Sequence, residues 1–200
     1  MSIFLESIKE STDELESSIG LPSGFLDRLL EEDDWSFIVK AHAMIESSAS
    51  KALTDVTGIK EAADFFSKLD MSNNTTGKLA LISALDIISE FSRRFIKTLS
   101  QLRNTLVHDI SNTNFNLKKH IQSLDKKQRK SLAVATCYVD FNVIDRVLSE
   151  QEMIQRLNEN PKRSIWESTM FLLAIFKLNS DVSKSKNDLT ELYRKVAEKS

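Results

Sequence analysis

The 200-residue chain is poor in turn-makers: four glycines and two prolines, about 3 % together, where roughly 12 % is usual. That density cannot serve the many reversals of a β-sandwich or barrel, and it leaves long helices joined by few connections. Cysteine is almost absent. Cys137 alone cannot form a disulfide within the chain, which fits a reducing compartment, so a cytoplasmic location is expected. Three histidines and one cysteine show no ligand spacing, so no metal site is expected. The lack of a glycine-rich phosphate loop argues against a nucleotide cofactor. The longest strictly apolar run, Met170 to Phe176, is seven residues, far below the ~20 that span a bilayer, so no membrane partner is expected. The N-terminal stretch reaches Glu6 with no basic region before it, unlike a signal peptide.

What is present is a core-building fraction of apolar residues, 41 %, enough to exclude wholesale disorder. The formal charge is −2, but it is unevenly spread. Residues 1–92 hold 17 acids and 7 bases; residues 93–130 hold 10 bases and 2 acids; the remainder balances. The basic block includes Arg93, Arg94, Lys97, Arg103, Lys118, Lys119, Lys126, Lys127, Arg129 and Lys130. It reads either as a phosphate-binding surface or as a solvated helical face docked near the acidic half.

The pattern predicts an all-α helical bundle with an N-terminal helical arm (1–24), a main domain (25–180) and a polar C-terminal tail (181–200) holding a short amphipathic helix at most. Gly20-Leu21-Pro22-Ser23-Gly24 is the strongest break. Further helices are expected near 24–31, 35–54 (capped by Asp33 or Asp34), 91–108, from Leu117, and from Asp125 to Leu157 with an interruption allowed. Leu79, Ile82, Leu85, Ile88 and Phe91, at spacings of three, read as one long buried face. Ser164 to Glu167 reads as a capping box opening a helix over 165–178. Trp35, Trp166 and the eleven phenylalanines are assigned to the core.

The informative stretch is Leu102-Arg103-Asn104-Thr105-Leu106-Val107-His108-Asp109. On a helix, with Leu99 at zero, Leu102 and Leu106 fall within about 60° and face the core. Asn104 lies near about 140° and His108 near about 180°, four residues apart and on one side. Arg103, at about 40°, sits at the edge of the apolar stripe. An outward Asn/His pair beside an arginine suits a phosphate: the guanidinium is a planar fork of donors, and histidine as a residue type titrates near neutrality. His42 falls on the buried face of its helix with Glu46 one turn on, which reads as a core histidine bonded to that carboxylate, or as support for the motif. His120, in Lys118-Lys119-His120, reads as solvated, with RNA contact as the alternative. Cys137 lacks a neighbouring base and reads as packing.

Arg-Asn-x-x-x-His at the end of a long helix in a small all-α protein resembles the signature of the HEPN superfamily, an arginine, four to six intervening residues and then a histidine. The match is Arg103, Asn104 and His108. The preceding order also fits: the "AHAMIE" helix, a loop, the "ALISALDIIS" helix and then the motif helix, so that the resemblance spans roughly residues 33–178. It implies a helical bundle that forms a homodimer with two motif copies meeting at a cleft. It also implies a metal-independent endoribonuclease of a defence, stress or toxin system, with RNA as substrate. His108 would then be the general acid/base, Arg103 would stabilise the charged phosphorane and Asn104 would orient histidine or phosphate. Glu46 and His42 would support them, and Arg93, Arg94, Lys97, Lys118 and Lys119 would steer RNA. An antitoxin or regulatory protein is a further expected partner. Relatives paired with a minimal nucleotidyltransferase often carry His-x-Tyr, where this chain has Ile110, which speaks against that pairing. Other relatives, including ones like mannitol operon repressors, use the scaffold without known catalysis. The alternative is therefore a non-catalytic regulatory protein that binds RNA or a protein partner.

Overall fold

The computed structural model describes residues 12–73, 75–139 and 146–197, and among them it is all helical with no strand. Residues 12–19 form α1; then follow α2 (Phe25–Leu29), α3 (Asp34–Thr57), α4 (Ala63–Lys68), α5 (Lys78–Ala84), α6 (Glu90–Val107), α7 (Leu117–Ser123), α8 (Lys126–Thr136), α9 (Glu150–Glu159) and α10 (Pro161–Ala197). Short 3-10 turns at Lys60–Ala62 and Ile110–Asn114 complete the order. Residues 1–11 of the expected arm lie outside the described residues, as do 140–145 between α8 and α9.

The long helices α3 and α10 pack on each other as the centre of the bundle, and α6, α8 and α9 close a ring around them. The core is aliphatic with a few large rings. Phe37, Ile38, Leu53, Phe95, Leu172 and Trp166 are buried, and the Trp166 indole N–H donates to the Leu26 carbonyl at 2.7 Å. A fully buried Trp or Phe side chain contributes about 3 kcal/mol of hydrophobic stabilisation. Helix starts are set by short polar side chains. Asp33 caps α3 through Ser36 N–H, Ser89 caps α6 through Ser92 N–H, and Asp125 and Ser149 open α8 and α9 with capping boxes, each such cap being worth about 1 kcal/mol. Gly58 ends α3 at φ 70°, the left-handed conformation that glycine adopts without a steric penalty. At Gly77 a Cβ would lie 2.4 Å from the Asp70 carbonyl oxygen, so the loop before α5 has room only for glycine.

Several expectations need correction. The residues at spacings of three from Leu79 to Phe91 do not form one helix. Successive steps of three rotate by about −60° each and leave any single face; the chain breaks at Asp86, where φ is 52°, and Leu85 and Phe91 are exposed. Phe65, at 60 % exposure, is likewise outside the core. Ser164 is buried inside α10 rather than capping it, its hydroxyl donating to the Asn160 carbonyl, and the helix starts at Pro161, where a missing N–H costs nothing. The polar stretch after 180 continues α10 to Ala197, aided by Lys177–Asp181 and Lys195–Glu191 ion pairs one turn apart. The described part of the arm is tied down: Glu16, fully buried, accepts from Gly24 N–H and Leu26 N–H at 2.5 and 2.6 Å.

Candidate functional site

The motif occupies the last turns of α6. Leu99 and Leu106 are buried on the bundle side, so the stripe that docks the helix turns the opposite face out. His108 follows as the C-cap, exposed, with its backbone N–H donating to the Asn104 carbonyl at 3.2 Å. The next carbonyls are also held, Thr105 by the Asn112 amide (3.0 Å) and Leu106 by the Trp35 indole N–H (3.3 Å). Orphan carbonyls at a helix end need such donors, and here they fix the turn from which His108 projects. Asp109 caps the following 3-10 turn, and its hydrogen bonds from Ser111 hold its carboxyl below the ordinary range.

Arg103 and Asn104 are half-buried and joined, the guanidinium Nη1 donating to Asn104 Oδ1 at 3.0 Å. His108 lies one turn beyond Asn104 on the same side, and among the described residues no side chain hydrogen-bonds its ring. The structure therefore brings Arg103 and Asn104 into direct contact and leaves His108 open beside them.

Behind the motif lies a polar seam between α3 and α6. His42 is buried, and its Nε2 pairs with Ser100 Oγ at 3.0 Å. The expected hydrogen bond to Glu46 is replaced: the carboxylate is 3.8 Å from Nδ1 and instead takes Lys78 Nζ at 3.1 Å. Lys78 is fully buried and spends its other two donors on the Ser67 and Leu69 carbonyls, at 3.0 and 2.6 Å. Burial lowers the His42 pKa, Glu46 opposes that, and Arg103 adds to the lowering. Arg103 is thus within electrostatic reach of His42, where its charge opposes protonation of the ring.

The other flank of α6 is different. Arg93 and Arg94 form ion pairs with Glu90 at the helix start, at 2.8 and 3.3 Å, while Lys97, Lys118 and Lys119 are exposed. Helix α8 runs antiparallel beside α6 and opens a groove of about 570 Å³, with Thr98, Gln101 and Thr105 on one wall and Lys127, Gln128 and Ser131 on the other. It continues past Lys97 and Arg94, facing Lys130. Lys127 and Lys130 belonged to the basic block, but their partnership with α6 was not foreseen; the signal was the spacing 127, 130/131, 134, one face of α8. His120 is not solvated as expected. It lines the groove, half-buried, with its ring 5.5 Å from that of Phe115, and burial lowers its pKa.

Cys137 is buried and burial pushes its thiol up, as suits a packing residue. Among the described residues no three of His, Cys, Asp and Glu cluster as metal ligands, and no helix is long and apolar enough to cross a membrane. Compared with known proteins, the chain matches no family model, no curated protein and no solved structure.

Proposed function

We propose that the protein is a HEPN-type endoribonuclease acting on RNA as a homodimer. The observation that carries the reading is the state of the motif: an open His108 at a braced helix end, with the hydrogen-bonded Arg103–Asn104 pair one turn behind it. In the reaction the 2′-hydroxyl loses its proton and its oxygen attacks the adjacent phosphorus. The bond to the 5′-oxygen breaks, that oxygen takes a proton, and a 2′,3′-cyclic phosphate remains. His108 moves the proton, and in a two-fold dimer a second His108 supplies the opposite step. Arg103 stabilises the phosphorane charge as a fork of donors, and Asn104 holds the guanidinium in place. His42 and Glu46 support Arg103 from behind. The reading carries with it a place in a defence, stress or toxin system and a regulatory or antitoxin partner.

The test is incubation of end-labelled RNA with purified protein in excess EDTA, beside His108→Ala and Arg103→Ala. Expected is cleavage to cyclic-phosphate ends by the wild type and a loss of roughly 10²–10⁴-fold in each variant. Binding without cleavage overturns the nuclease in favour of a regulatory RNA-binding protein.

A further inference from the structure

Neither stretch of the groove between α6 and α8 is lined by an aspartate or glutamate, although acids outnumber bases in the chain as a whole. Four cations face it in two rows, Arg94 and Lys97 from α6, Lys127 and Lys130 from α8. Among the described residues neither Lys97 nor Lys127 has an ion-pair partner. The rim cations Arg94 and Lys130 are held only by exposed carboxylates, Glu90 and Glu150, at 3.3 and 2.7 Å. Exposed pairs of that kind are worth about 0–1 kcal/mol and exchange readily for a better anion.

We propose that this groove seats the backbone of single-stranded RNA, its phosphates running from Arg94 and Lys130 past Lys97 and Lys127 toward Thr105 and His120. The inference rests on the nuclease reading for the identity of the polyanion and adds to it a path. From Arg94 to Thr105 the groove follows twelve residues of α6, about 17 Å at the helical rise. His108 stands about 5 Å further along the same helix. At the far end the half-buried His120 ring, backed by Phe115, gives a base a face to stack on, the feature that favours single strands. Polar walls at Thr98, Gln101 and Ser131 supply donors for phosphate and sugar oxygens.

The experiment is fluorescence anisotropy with a labelled 2′-O-methyl oligouridylate, which lacks the attacking hydroxyl and so reports binding without cleavage, titrated across salt concentrations. Four phosphate contacts give a slope of log K against log salt of about −3; Lys97→Glu/Lys127→Glu lowers it to about −1.4 with at least tenfold weaker binding, at about −0.7 per contact on single strands. Lys184→Glu/Lys186→Glu, on exposed α10 away from the groove, makes the same change of net charge and leaves both unchanged. Binding by the double variant equal to wild type overturns the proposal. So does equal competition by polyglutamate of matched charge, which would make the groove a seat for an acidic protein. Failure of the two readings is separable. A wild type that binds with the four-contact slope but never cleaves sinks the nuclease and keeps the groove. A double variant that cleaves ordinary RNA with unchanged KM sinks the groove and keeps the nuclease.

Discussion

Helix α6 has two polar flanks, and they differ in where their partners come from. Toward α3, the polar seam is satisfied within the chain: Ser100 meets His42, and Glu46 meets Lys78, which also holds two carbonyls. Toward α8, Lys97 and Lys127 face an open groove with no such partner among the described residues. Buried polar groups must be satisfied internally or they cost the fold, whereas exposed cations remain solvated and available. The first flank is therefore architecture that positions the motif, and the second is surface that a ligand completes. The contrast yields a simple rule: substitution on the first flank should cost stability, and on the second it should cost binding.

The largest effect is expected at Lys78. Lys78→Met keeps the volume but removes all three donors, leaving the Ser67 and Leu69 carbonyls without them and Glu46 without its cation. Breaking such a buried arrangement costs about 3 kcal/mol, which for a chain of this size lowers Tm by about 6–12 °C. Thermal unfolding followed by circular dichroism reads this directly. A change below about 1 kcal/mol would erase the distinction between the flanks.

The next is a pH effect at His42. Its pKa in the folded protein is lowered, by burial first and by Arg103 as well. The unfolded chain then binds the proton more readily than the native state, so the stability held by neutral His42 is complete above about pH 6.5 and declines as pH falls below it. The groups facing the ring are Glu46 and Asp70, which raise its pKa, and Arg103 and Lys78, which lower it. His42→Gln retains a partner for Ser100 and cannot titrate. Between pH 7 and pH 5 the Tm of the variant should fall less than that of the wild type, with a residual slope from His120, whose pKa burial also lowers. Parallel Tm curves would show that His42 does not feel its buried setting.

Much of the first flank could be read from the chain before its fold was known, and little of the second. The motif is local: Arg103, Asn104 and His108 share one helix, and the leucine stripe of that helix sets which way they point. Helices α3 and α6 were legible because Asp33 and the leucine periodicity mark them, and α6 begins at Glu90, one residue from expectation. His42 was placed as buried, but its bond to Ser100 spans 58 positions in sequence, and no local pattern announces it. The groove is harder still, since it exists only once α8 lies antiparallel to α6; each basic row, read alone, looks like a solvated face. The extent of α10 was missed for a different reason. Its last third carries no apolar face that the bundle covers, so periodicity signals no core there, while the absence of glycine and proline beyond Pro161 lets the helix run on.

The smallest stability effect is expected at Lys127, and its sign is informative. The cation shares its groove with Lys97, Arg94 and Lys130, so in the free protein it meets like charge, and among the described residues no acid pairs with it. Like charges held in proximity oppose the compact state, and an exposed side chain of this kind contributes little packing, so substitutions there stay within about 0.5 kcal/mol. Lys127→Gln should therefore leave Tm unchanged or raise it by about 1 °C, while removing one phosphate contact from the salt dependence of RNA binding, a change of about 0.7 in slope. Differential scanning calorimetry and anisotropy on the same preparation separate the two quantities. A drop of more than about 1 kcal/mol would mean that Lys127 has a structural partner and belongs with the α3 flank, and the rule that distinguishes the two sides of α6 would fail at the residue where the groove needs it most.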